Sequence, residues 1–157
     1  MSVRVAWEFL SDTVPDHYGS DQAYRWRTRR KQLLQDPEPE RLLQSWVASR
    51  ADRCWFRTRN NEGLLDDQRL IPSGISDSRS GISSTIIEAY VLQEDSDSVQ
   101  RMYLLHPGNP QDNVLLHITS TLPPNPVSTL LVAADLTDHD NDRELSRART
   151  LIKEALP

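Results

Sequence analysis

The chain has 157 residues, 37% of them hydrophobic, a net charge of -5 and a mean hydropathy of -0.60. That is long enough to bury a core, and no apolar run approaches the ~20 residues that a membrane-spanning helix needs. The single cysteine excludes an internal disulfide and the opening MSVRVAWEFLSD lacks a secretory layout, so a soluble cytoplasmic protein without membrane contact is expected.

Charge is unevenly spread. Up to Arg59 there are 11 Lys/Arg against 8 Asp/Glu, and from Asn60 onward 7 against 15. Such asymmetry can steer a charged partner, or draw the two parts of the chain together.

Val3, Val5, Trp7 and Phe9 alternate with Arg4, Ala6 and Glu8, which is the period-two pattern of a half-buried strand. Pro15 and Gly19 interrupt it. Ser20 can then cap a helix with Asp21 and Gln22 in its first turn, running to about Gln35. Ala23, Trp26, Leu33 and Leu34 share one face of that helix. Asp36 precedes a proline and ends it. A second helix follows with Asp36 as cap, Pro37 in the first position and Leu42, Leu43, Trp46 and Val47 as its buried stripe. The two make a helical hairpin.

Cys54, Trp55 and Phe56 predict a short strand, followed by a turn at Asn60, Asn61 and Gly63. The tetrad Ser-Gly-Ile-Ser occurs at 73–76 and again at 80–83, so residues 73–84 have the composition of a mobile loop. Between Ser84 and Leu136 four apolar runs are separated by EDSDS, PGNPQD and PPNPV. Runs of that length bounded by turn residues predict strands, and the short separations predict antiparallel pairing in a four-stranded meander. At the end, Asn141 with Glu144 resembles a capping box, and Leu145, Ala148, Ile152 and Ala155 recur at helical spacing.

The expected fold is therefore a single α+β domain over 1–157. An antiparallel sheet built on the four-stranded meander is flanked by an N-terminal helical hairpin and a C-terminal helix. Alternating βαβ units, and with them a nucleotide-binding parallel sheet, are not expected.

A hairpin through PGNPQD with His106 opposite Asn113 places Tyr103, Leu105, Val114, Leu116 and Ile118 on one apolar face. The other face carries Met102, Leu104, Leu115, His106 and His117, with Ile86, Tyr90 and Leu92 from the preceding strand. It too is partly apolar and needs a cover from the chain itself, a second copy or a partner.

His106 and His117 would then lie roughly 13–14 Å apart along the ladder, too far to share one ion, so no metal site is expected. Asp138, Asp140 and Asp142 alternate as in a calcium loop, but Arg143 and Arg149 stand where glycine and glutamate are required. Acids at a helix start explain them without a ligand. Cys54 beside two aromatics reads as buried rather than nucleophilic. No nucleophile elbow, phosphate loop or dinucleotide fingerprint occurs. Catalysis and a cofactor are therefore not expected.

The leading expectation is a non-catalytic protein-binding, adaptor or assembly protein of chaperone-like character. It would use its sheet surface, through Met102, Leu104, Leu115, His117 and the loop residue Arg79, to hold a protein partner or a second copy of itself. One alternative is nucleic-acid binding through helix 24–31, where Arg25, Arg27, Arg29 and Lys31 surround Tyr24 and Trp26. Trp26 shares a face with Leu33 and reads as core. The other alternative is a small-molecule-binding protein or enzyme with a helix–sheet pocket lined by Tyr90, Tyr103 or His117.

Overall fold

The structure, a computed structural model, describes residues 1–156. The chain divides into two compact units, Met1–Arg50 with 128–156, and Ala51–Val127. The first is entirely helical and the second holds the whole sheet.

In the helical unit, α1 (Val3–Leu10) forms where the alternation predicted a strand. Eight residues satisfy either period. Here Ala6, Phe9 and Leu10, at helical spacing, form the buried face, and the Ser2 hydroxyl accepts from the Val5 amide. The Trp7 indole donates to the Arg50 carbonyl at 3.0 Å. Helix α2 (Ser20–Gln35) runs to the expected end, but its cap is Gly19 rather than Ser20; the Gln22 side chain accepts from the Gly19 amide. The helix buries only Trp26 and Leu33. Asp36 accepts from the Glu38 amide, so the next helix begins two residues later than expected, at Pro39. This α3 (Pro39–Val47) packs Leu43 and Val47 inward.

Helix α5 (Thr129–Thr137) replaces the fourth predicted strand. Every residue from Leu130 to Thr137 is buried, so the run carries no periodicity from which a helix could be read. Ser128 decides it locally: its hydroxyl accepts from the Leu131 amide and donates to the Leu10 carbonyl at 2.6 Å. Helix α6 (Asp142–Ala155) starts at the expected cap, with Asn141 accepting from the Glu144 amide. Its Arg149 pairs with Glu40 of α3.

In the other unit the expected antiparallel meander is replaced by a mixed five-stranded sheet. The strands are β1 (Asp52–Arg57), β2 (Leu70–Pro72), β3 (Ile87–Leu92), β4 (His106–Pro107) and β5 (Val114–Thr119), in the order β2-β3-β5-β1-β4. β3 and β5 are parallel, from Ile87 opposite Val114 to Leu92 opposite Thr119. The connection between them carries α4 (Gln93–Met102), so this part is a β-α-β crossover. EDSDS is no turn. Glu94 and Asp95 occupy the first turn of α4 and complement its dipole, with Arg101 in the last turn. That takes the first half of the second predicted strand, residues 99–102, into a helix, and of that run only His106 lies in a strand, β4.

The expected hairpin of β4 on β5 is also absent, because β1 lies between them. Arg57 is opposite His106, and Phe56 faces Pro107 on one side and Val114 on the other. Asn113 fixes the crossing, donating to the Thr58 carbonyl at 2.8 Å and accepting from its amide at 3.0 Å. The core nonetheless contains the face read from the sequence. Leu105, Val114 and Leu116 are buried with Phe56, Leu64, Leu70, Ala89, Val91 and Val99, and Tyr103 and Ile118 pack against them.

Candidate functional site

The duplicated Ser/Gly segment forms two short 3-10 turns, Gly74–Ser76 and Ser78–Ser80, seated on β3. Glu88 is the peg. One carboxylate oxygen accepts from the Ile75 amide at 2.8 Å, and the other lies 2.8 Å from Nε2 of His117. The Ser76 hydroxyl accepts from the Glu88 amide, and Tyr90 stacks on the His117 ring at 4.6 Å. Gly74 has φ +53° and a Cβ there would sit 2.2 Å from the Glu88 carboxylate, so the position requires glycine. Arg79 is held at the same segment, paired with Asp77 at 2.8 Å and donating to the Val127 carbonyl at 2.7 Å.

The five residues proposed for partner binding separate into three groups. Leu115 and His117 are buried on β5. Arg79 is bound as described. Met102 and Leu104 are exposed, at 63% and 70%; Met102 is the last residue of α4 and Leu104 lies on the turn after it, neither on a sheet face. Together with Tyr103, His106, Thr58, Arg59, Asn60 and Glu62 they line a groove of about 520 Å³.

The local chain explains how the groove is built. Leu105 donates to the Gln100 carbonyl and Leu104 to that of Arg101, so α4 ends in a Schellman-type closure. The residue that must turn left-handed is Leu104, at φ 51°. Glycine ordinarily takes that place; leucine there is strained, and its side chain projects into solvent. Beneath it, Tyr103 donates to Asp67 at 2.7 Å, and Arg69 pairs with the same carboxylate. Arg69 also donates to the Met102 sulfur at 3.3 Å. Hydrogen bonds from Arg69, then from Tyr103, hold the Asp67 carboxyl far below its ordinary range, while the hydrogen bond to Asp67, then burial, push the Tyr103 hydroxyl up. Asp67 thereby fixes Tyr103 directly and Met102 through Arg69.

The basic set Arg25, Arg27, Arg29 and Lys31 is exposed along α2. Arg25 and Arg29 join Arg4 of α1 around a cleft of about 160 Å³ that also contains Glu8, Phe9, Tyr18 and Trp26. Trp26 is buried and donates to the Glu8 carbonyl at 2.9 Å. Arg30 turns inward, 3.8 Å over the Trp26 ring, and burial pulls its guanidinium down to about 10. Burial, reinforced by a hydrogen bond to Glu8, pushes the Tyr18 hydroxyl up to about 12. Glu8 itself is raised by burial, but hydrogen bonds from Tyr18 and His17 and the charge of Arg4 outweigh this and hold it below the usual range.

Other singled-out residues have structural partners. Burial, and then the Asp52 charge, push the Cys54 thiol up, away from thiolate reactivity. Asp138 binds Arg50 at 2.5 Å, Asp140 pairs with Arg41, and Asp142 lies in the first turn of α6. His106 stands exposed on the edge strand β4, separated from β5 and His117 by β1.

No family model matches the chain, and comparison with curated proteins and with solved structures finds no significant similarity. Among the described residues no helix is long and apolar enough to cross a membrane.

Proposed function

We propose that this is a cytoplasmic, non-catalytic protein-binding module whose recognition site is the groove between loop 58–62 and turn 102–106. The observation that carries the reading is Leu104. A bulky apolar side chain is held out in solvent at a backbone conformation that favours glycine, next to the equally exposed Met102. Strain of that kind persists where surrounding structure enforces it and is concentrated at binding sites. Methionine and leucine side by side offer adaptable apolar contact for a partner's anchor residue.

The rim favours an acidic partner. Arg59 lines the groove, and Arg57 and Arg101 adjoin its lining residues Thr58 and Met102 in the chain; all three are exposed and, among the described residues, none forms an ion pair, whereas Glu62 is the one acid lining the groove. The occupant is therefore a protein segment with an aliphatic or aromatic anchor flanked by Asp or Glu.

Selection from a displayed random-peptide library against the whole chain checks this. Enriched peptides are expected to pair an apolar anchor with neighbouring acids. Their affinity should fall roughly tenfold or more in a Met102→Ser, Leu104→Ser double variant, in line with the loss of a central anchor pair. Peptides that bind the double variant undiminished would contradict the assignment.

A further inference from the structure

We infer that α2 is a duplex-DNA-binding helix, with Arg25 and Arg29 on one flank, Arg27 and Lys31 on the other, and Arg4 of α1 extending the first flank. This surface is separate from the groove, and its test does not depend on that site.

The first observation is how little of α2 the fold uses. Its 16 residues span about 24 Å. Only Trp26 and Leu33 are buried, and Trp26 and Arg30 tie the helix down through bonds to the Glu8, Phe9 and Ser11 carbonyls. Arg25, Arg27, Thr28, Arg29, Lys31 and Gln32 all face solvent.

The second is that, among the described residues, the outward cations of α2 have no acid partners. Helix α6 is the contrast within the same unit: Arg143, Arg147 and Arg149 pair with Glu144, Glu154 and Glu40. Arg25, Arg27, Arg29 and Lys31 form no ion pair with any described residue, in a chain with 23 Asp and Glu. Glu8, the acid inside the neighbouring cleft, is already engaged by Tyr18, His17 and Arg4.

The angular placement selects the kind of nucleic acid. At about 100° per residue with Tyr24 at zero, Arg25 and Arg29 fall near 100° and 140°, and Lys31 and Arg27 near -20° and -60°. The ridge between them carries Tyr24, 70% exposed, then Thr28 and Gln32. Cations on both sides of a polar ridge need phosphates on both sides. The major groove of B-form DNA, about 12 Å wide, supplies them around a helix about 10–12 Å across. The deep, narrow major groove of A-form RNA does not admit such a helix. A single strand is disfavoured because Tyr24 is the only exposed aromatic of α2, which makes no platform for successive bases.

Fluorescence anisotropy of the whole chain with a labelled mixed-sequence DNA duplex tests this, with the single strand, an RNA duplex and polyglutamate as competitors. Four cations, Arg25, Arg27, Arg29 and Lys31, neutralising four phosphates predict an affinity loss of about 150-fold between about 50 and about 200 mM salt. Arg27→Gln with Arg29→Gln should weaken binding at least about tenfold at the lower salt and reduce the salt-induced loss to about 12-fold. Arg25→Gln with Lys31→Gln, an independent exposed pair, should do the same, and Arg143→Gln with Arg147→Gln on α6 should change nothing. No duplex binding at the lower salt, undiminished binding by both α2 double variants, or tighter binding of single strand, RNA or polyglutamate would each overturn the inference.

Discussion

Arg50 in the helical unit puts a guanidinium where apolar side chains belong. Met102 and Leu104 in the sheet unit put apolar side chains where charges belong. The two departures have opposite consequences. Arg50 reaches Asp135 at 2.6 Å and Asp138 at 2.5 Å and donates to the Val47 carbonyl, so its desolvation is offset inside the fold. Leu104 gains no burial in return for its left-handed backbone, and Met102 gains one contact with Arg69. What stabilises the first is visible within the chain. Nothing among the described residues compensates the second, which is why the groove, and not the buried ion cluster, carries the proposed binding role.

The comparison breaks most visibly at Arg50. Arg50→Met would take the guanidinium away from the buried Asp135 and Asp138 carboxylates and should cost about 3–5 kcal/mol in urea unfolding. A loss below about 1 kcal/mol would mean that the cluster is not structural.

A smaller effect comes from Tyr18, another polar group tied inside the helical unit. Its folded hydroxyl is raised to about 12 from an ordinary value near 10. The folded state therefore holds the proton longer than the unfolded state. The stabilisation is complete below about pH 10 and is lost as pH rises toward 12. Unfolding followed across that window should show declining stability, and Tyr18→Phe should flatten the decline. An unchanged slope in the variant would assign the alkaline loss to other groups.

How much of this was legible in the sequence varies by element, for physical reasons. Helices α2 and α6 have polar faces and a start signal, so their period and beginnings could be read. β3 and β5 fall within runs that predicted strands, and β1 contains the one expected at Cys54–Phe56. Helix α5 could not be distinguished from a buried strand, because a segment buried all round has no polar face to set the period. Helix α1 is short enough to satisfy both periods, and only its Ser2 cap separates them. Helix α4 was hidden because EDSDS serves equally as turn residues or as an acidic first turn. Missing α4 also removed the parallel β3–β5 pair, since a crossover helix is what parallel strands require. Met102 and Leu104 were singled out as residues of a sheet face. They share a groove because a helix ends there and Leu104 turns left-handed, a property that nothing in a leucine codon position or its apolar neighbours announces. The peg role of Glu88 was likewise missed, although the glycine in each Ser-Gly-Ile-Ser tetrad was the available signal for a close approach.

The smallest change in stability carries the most information about function. Leu104→Gly removes the left-handed penalty and an exposed side chain together. Unfolding free energy and affinity for the selected acidic-apolar peptides should be measured on the same variant. Stability should rise by about 1 kcal/mol while affinity falls about tenfold or more. A variant that loses stability, or one that keeps full affinity, would contradict the claim that Leu104 is held out in solvent for a partner.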